Sequence, residues 1–250
     1  PALGAVLAAA REAGLPVRED TPDDFGGRIR ARAVALDDQL VLDPTLLAET
    51  LARSAVEAGA ALHLGVRVQR VRSLPEGRID TDQGTLFGDT VVLATGTPLA
   101  RRGLYDLKTR ALRSWALAFD LADTAQLPGG MWSEVGTDGR GVVAAPSSFG
   151  RPALVVTGAR HPVGSAESEI ALADALATWA RRTLPVGEET ARWSGQDYQS
   201  HNLVPFVGGM PRGLGRIRFA TGYAGWGMTN APAAAMRLSD EIRGVSRRDR

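Results

Sequence analysis

The stretch that most limits what this chain can fold into is Phe219-Ala-Thr-Gly-Tyr-Ala-Gly-Trp-Gly-Met-Thr-Asn-Ala-Pro, residues 219–232. An apolar strand, RIRFATG, delivers Gly222, Gly225 and Gly227 into a segment of helical spacing, TNAPAAAMRLSDEIRG. This order predicts a buried strand, a glycine turn and a helix, with Thr229 and Asn230 suited to the cap and Pro232 to the first turn. Glycines so close together let a ligand meet the backbone directly. Free N–H groups at a helix start, with the helix dipole, stabilise negative charge there. The same turn can equally be a ligand-free connection, or a seat for some other anion, because glycine-rich turns alone are weak signals.

A second strand end has the same character. Val91-Val92-Leu93-Ala94 is an apolar run without alternation, as expected of a strand buried on both faces, and it stops at Thr95-Gly96-Thr97. In open parallel sheets ligands sit off the carboxyl ends of strands. The two ATG turns, at 94–96 and 220–222, therefore mark one candidate site.

The rest of the chain supplies the frame. Residues 2–13 read as a helix closed by Gly14 and Pro16, then a polar loop, REDTPDDFGG, then a strand, RIRARAVAL. Asp43 caps a helix with Pro44 in first position, running to Gly59. ALHLGVRVQRVRS reads as a half-exposed strand, and a hairpin follows around Asp82-Gln83-Gly84. SWALAFDL, GGMWSEV, GVVAAPS and ALVVTGA are short strands between Gly, Pro and Asp turns, the pattern of an antiparallel sheet. Ser165 is the expected cap of a helix through SAESEIALADALATWARRTL, and ETARWSGQDYQ is a further strand. The fold class is α/β with an inserted α+β domain.

Composition removes several chemistries. With no cysteine there is no disulfide, iron–sulfur cluster, thiolate metal site or cysteine nucleophile. The histidines, His63, His161 and His201, are scattered, so no metal site is expected. A net charge of +1 gives no footprint for nucleic acid. No apolar run reaches membrane-span length, and the N-terminal residues lack a secretory pattern, so a cytoplasmic protein is expected. Lys108 is the only lysine among 29 basic residues, which reads as the codon bias of a GC-rich genome.

Four segments taken in order carry a resemblance. They are DPTLLAETLARSAVEAGA followed by VRVQRV, then DTVVLATG, then RWSGQDYQSHNLVPFVG, then RIRFATGYAGWGMTNAPAAAMRLSDEI. The chain resembles the FAD-dependent oxidoreductases of the D-amino-acid oxidase/glycine oxidase type, above all the bacterial branch often fused to a Rieske domain. The resemblance implies a partial Rossmann-like FAD-binding domain (43–98 and 209–250) and an antiparallel-sheet substrate domain (99–208, with the helix and strand of 1–42 as part of it). It implies FAD contacts from Val68, from Ala94, Thr95 and Gly96, and from Gly222, Tyr223, Ala224, Gly225, Trp226, Gly227, Met228 and Thr229. Tyr223 and Trp226 would wall the substrate site, with Asp197 and His201 as polar site residues. Reduced flavin carries negative charge near N1, which a helix N-terminus there would favour.

Three departures qualify this. The family's N-terminal GxGxxG unit and its ribose-binding acid have no counterpart here, so a fragment, or a subunit needing a partner chain for that half, is the alternative expectation. No Rieske module can exist without cysteine. Asp197 stands where glycine-oxidase-like enzymes place an arginine for the substrate carboxylate. An acid there attracts an amine, so the expected substrate is a small amine-like molecule rather than a simple α-amino acid.

Overall fold

The computed structural model describes residues 2–21, 23–24, 29–97, 103–121, 129–136, 139–145 and 152–245. The tail SRRDR and much of the 22–28 turn, read above as a disordered end and part of a polar loop, lie outside them. In chain order the elements are α1 (Ala2–Glu12), β1 (Val17–Asp20), β2 (Asp23–Asp24), β3 (Ile29–Arg30), β4 (Ala33–Leu36) and α2 (Pro44–Glu57). Then come β5 (Val68–Arg72), β6 (Gly77–Thr81), β7 (Gly84–Gly88), β8 (Val91–Leu93), α3 (Tyr105–Lys108) and β9 (Thr109–Leu121). The remainder is β10 (Met131–Ser133), β11 (Gly141–Ala145), β12 (Ala153–Pro162), α4 (Glu169–Thr183), β13 (Val186–Ser200), β14 (Phe206–Gly209), β15 (Ile217–Thr221) and α5 (Gly227–Arg243). Two compact units result: Pro1–Glu49 with Arg113–Gly195, and Thr50–Leu112 with Gln196–Arg250. No helix among the described residues is long and apolar enough to cross a membrane.

In the first unit a five-stranded sheet runs β10-β11-β12-β9-β13. Leu117, Phe119, Leu154 and Val156 pack against Leu176, Ala177 and Ala180 of α4. The cap of α4 differs from expectation. Ser168 accepts from the Ala171 N–H at 3.2 Å, whereas the Ser165 hydroxyl donates to the Pro162 carbonyl at 2.7 Å. The polar run after α1 is partly strand: β1 pairs antiparallel with β4, so the single strand expected over 28–36 is broken. Arg18 bridges Asp20 and Asp37 across that pair, which holds both carboxyls below their usual range. Local charge pairing, invisible to hydropathy, makes this ladder.

In the second unit β14 pairs antiparallel with β15, and β15 pairs parallel with β8. Val71, Val91, Leu93, Met210, Ile217 and Phe219 form its core. Ala220 meets Ala234 and Leu238 of α5, and Arg218 reaches Glu241 of α5 at 2.6 Å. The hairpin β6–β7 closes as expected, with Thr81 opposite Gly84. On β8 the expectation of two buried faces fails: Val91 and Leu93 are buried but Val92 is 42% exposed, so described residues cover one face only. On β5, which has a register irregularity between Val68 and Arg70, Val68 is exposed and Val71 is buried.

Candidate active site at the joined glycine turns

The site lies within the second unit, at the carboxyl ends of the parallel pair β8 and β15. After Thr221 the chain reverses through Gly222, Ala224 and Gly225, all left-handed, with φ of +82°, +57° and +90°. At Gly222 a side chain is disfavoured twice: by conformation, and because a Cβ there would lie a tight 3.3 Å from the Ser200 Cβ. Ala224 holds its left-handed backbone at a cost of roughly 1 kcal/mol, and its N–H donates to the Tyr198 carbonyl at 3.0 Å.

The end of β13 fixes this bend. Gln199 and Tyr223 form an antiparallel bridge. The Gly225 N–H donates to Asp197 Oδ2, and the Tyr198 N–H donates to Asp197 Oδ1 at 2.7 Å. The Thr221 hydroxyl donates to the Gly96 carbonyl, which ties the two ATG turns together. A Cβ on Gly96 would meet the Tyr198 ring at 3.5 Å. Thr95 Oγ1 in turn donates to the Thr97 carbonyl at 2.7 Å.

Helix α5 begins at Gly227, two residues before the expected cap. Trp226 is the cap residue, no side chain bonds the first turn, and Pro232 lies inside the helix. The Asn230 N–H is the first to bond back, to the Trp226 carbonyl. The N–H groups of Gly227, Met228 and Thr229 therefore precede the helix's own ladder, and Trp226 and Met228 beside them are 64% and 50% exposed. Tyr223 is half-buried. Burial pushes its phenol above the ordinary value, and the negative charge of Asp197 adds to the rise.

The structure thus brings together Ala94, Thr95, Gly96, Asp197 and Gly222 to Thr229, in two turns joined at Thr221. Val68 stands in the separate β5-β6-β7 sheet. His201 follows the end of β13, its N–H donating to the Lys108 carbonyl at 3.0 Å, while Asp197 turns to Gly225. The shared face expected for Asp197, Gln199 and His201 ends with the strand at Ser200. Sequence reasoning missed Thr221 and Ser200, which act through contacts 125 residues away and against Gly222 respectively.

An exposed helix start without a side-chain cap, next to a glycine bend, is a donor set that suits a negatively charged group such as the carbonyl edge of a reduced flavin. A sequence model of the FAD dependent oxidoreductases (DAO) matches residues 2–241, and the chain belongs to that family. It is 28% identical over 141 residues to YhfW of Bacillus subtilis (strain 168), named for a Rieske 2Fe-2S iron-sulfur protein; the match covers 56% of this chain and 27% of that one. Glycine oxidase from Geobacillus kaustophilus shares the fold at TM-score 0.75 and 21% identity, over 96% of this chain and 66% of that one. L-proline dehydrogenase from P. horikoshii matches at TM-score 0.75 and 15% identity, over 96% and 68%. Iminodiacetate oxidase (IdaA) from Chelativorans sp. BNC1 matches at 0.72 and 17%, over 97% and 68%. The chain therefore spans about a quarter of its curated relative and about two thirds of these structures.

Proposed function

We propose that this chain forms the substrate unit and the C-terminal part of the FAD unit of a bacterial, cytoplasmic flavoenzyme that oxidises a C–N bond of an amine-like substrate. The observation that carries the proposal is the uncapped start of α5, held open at the end of β15 by the Asp197–Gly225 bond. FAD, when bound, supplies the acceptor for the hydride on the carbon beside the substrate nitrogen. The N–H groups of Gly227, Met228 and Thr229 would stabilise negative charge on the bound cofactor, and Gly225 would let it approach the backbone. Tyr223 and Trp226 wall the substrate side and exclude water. Asp197 fixes Gly225; each of its oxygens retains acceptor capacity for an ammonium group.

A second reading, a subunit that needs another segment for the dinucleotide half, draws on a different observation. α2 has no buried residue, and Leu46, Leu51 and Val92 are each more than 40% exposed. The Gly225→Val variant tests the first reading. It should lose flavin binding with far-ultraviolet circular dichroism unchanged; binding equal to the parent would remove the turn from the site.

A further inference from the structure

The first strand turn of β9 and the last of β13 enclose a cleft that the reading above does not use. It has a volume of about 240 Å³ and is lined by Leu107, Lys108, Thr109, Arg110, Gln199, Ser200, His201 and Leu203. Three of these carry or can carry positive charge, and none is acidic. The Lys108 ammonium lies 5.0 Å from the Tyr105 ring centroid, over the ring face. The Thr109 hydroxyl is spent on the Tyr105 carbonyl at 2.8 Å. Among the described residues, no carboxylate pairs with Lys108, Arg110 or His201; Asp106 on α3 forms no ion pair with them. Ser200 is 1% exposed, and its buried hydroxyl has no hydrogen-bond partner.

Two permanent cations line one cleft, and none of its described lining residues is acidic, so the cleft attracts negative charge. We infer that this cleft binds a small oxyanion with two negative charges, a dicarboxylate or inorganic phosphate. Lys108 and Arg110 would supply the charge, and Gln199 and His201 further hydrogen bonds. The space is below the usual range for drug-sized ligands, roughly 300–1,000 Å³, so it suits a small acid and not a dinucleotide. The cleft shares the end of β13 with the glycine turn, Gln199 bridging Tyr223 and Ser200 lying against Gly222, while its cations come from Lys108 and Arg110. The charge argument adds to the flavin reading and does not rest on it.

Lys108 makes the test direct, because it is the only lysine in the chain. Reductive methylation with ¹³C-formaldehyde labels it, and the terminal amine gives a separate reference signal. The labelled chain is titrated with succinate, with inorganic phosphate and with sodium chloride at matched ionic strength, while the ¹H–¹³C resonance is followed. A saturable shift with succinate or phosphate, absent with chloride, is expected, and the stronger of the two identifies the ligand chemistry. Arg110→Ala should weaken that binding by about tenfold, since a charge-assisted bond is lost. An equal, non-saturating response to all three salts, or affinity unchanged in Arg110→Ala, would overturn the inference. No flavin is needed, so this outcome is independent of Gly225→Val.

Discussion

Helices α4 and α2 obey the same sequence rules and end with different fates. Each starts at a side-chain oxygen that accepts backbone N–H groups: Ser168 for α4 and Asp43 for α2, the latter taking Thr45 at 2.8 Å and Leu46 at 3.2 Å. Each carries apolar residues at helical spacing. Yet α4 buries Ala173, Leu176, Ala177 and Ala180, while α2 buries none. Capping and periodicity nucleate a helix, but packing of the apolar face supplies most of its stability in a protein. α4 has a sheet to lie on, and ion pairs from its Asp174 and Arg181 to Arg192 and Glu189 of β13. Leu46, Leu51 and Val56 of α2 remain 58%, 59% and 48% exposed.

That difference is open to measurement. The largest effect belongs to Leu176→Ala, which should cost about 2–5 kcal/mol in urea unfolding, because the residue is 4% exposed in the first unit's core. A smaller effect concerns acid. Arg192 beside Glu189 holds that carboxyl below its usual range. Folded-state ionisation is therefore favoured, so the stabilisation is present above the ordinary carboxylate pKa and is lost as pH falls through the depressed value. Glu189→Gln should lower stability at neutral pH, leave it little changed in acid, and so flatten the acid limb of the stability–pH curve. The smallest effect is Leu51→Ala, expected within about 0.5 kcal/mol for a surface position. A cost matching Leu176→Ala would show α2 covered in solution and would erase the contrast between the helices.

The parts of the fold set by local rules were legible: the β6–β7 hairpin, the Asp43 cap, and the glycine turn between β15 and α5. Parity and neighbours were not. The register irregularity in β5 has no signature in its composition, and β14, with two glycines in four residues, lacks a strand composition and exists through its pairing with β15. The start of α5 fell two residues early because the Asp197–Gly225 and Tyr198–Ala224 bonds set the bend, overriding the capping preference of Thr229 and Asn230. The same contacts explain the site. Gly222, Gly225 and Gly96 could be picked out by residue type, whereas the link between the two turns, Thr221 to Gly96, is a long-range bond without a sequence signature. The cationic cleft needed both strand ends in place.

The central claim is that the bend before α5 receives a flavin ring. The most direct measurement is the visible spectrum of the purified chain after addition of FAD and removal of the unbound excess. A retained flavin band, displaced from that of free FAD, is the predicted result. A monodisperse protein that stays colourless would contradict the account.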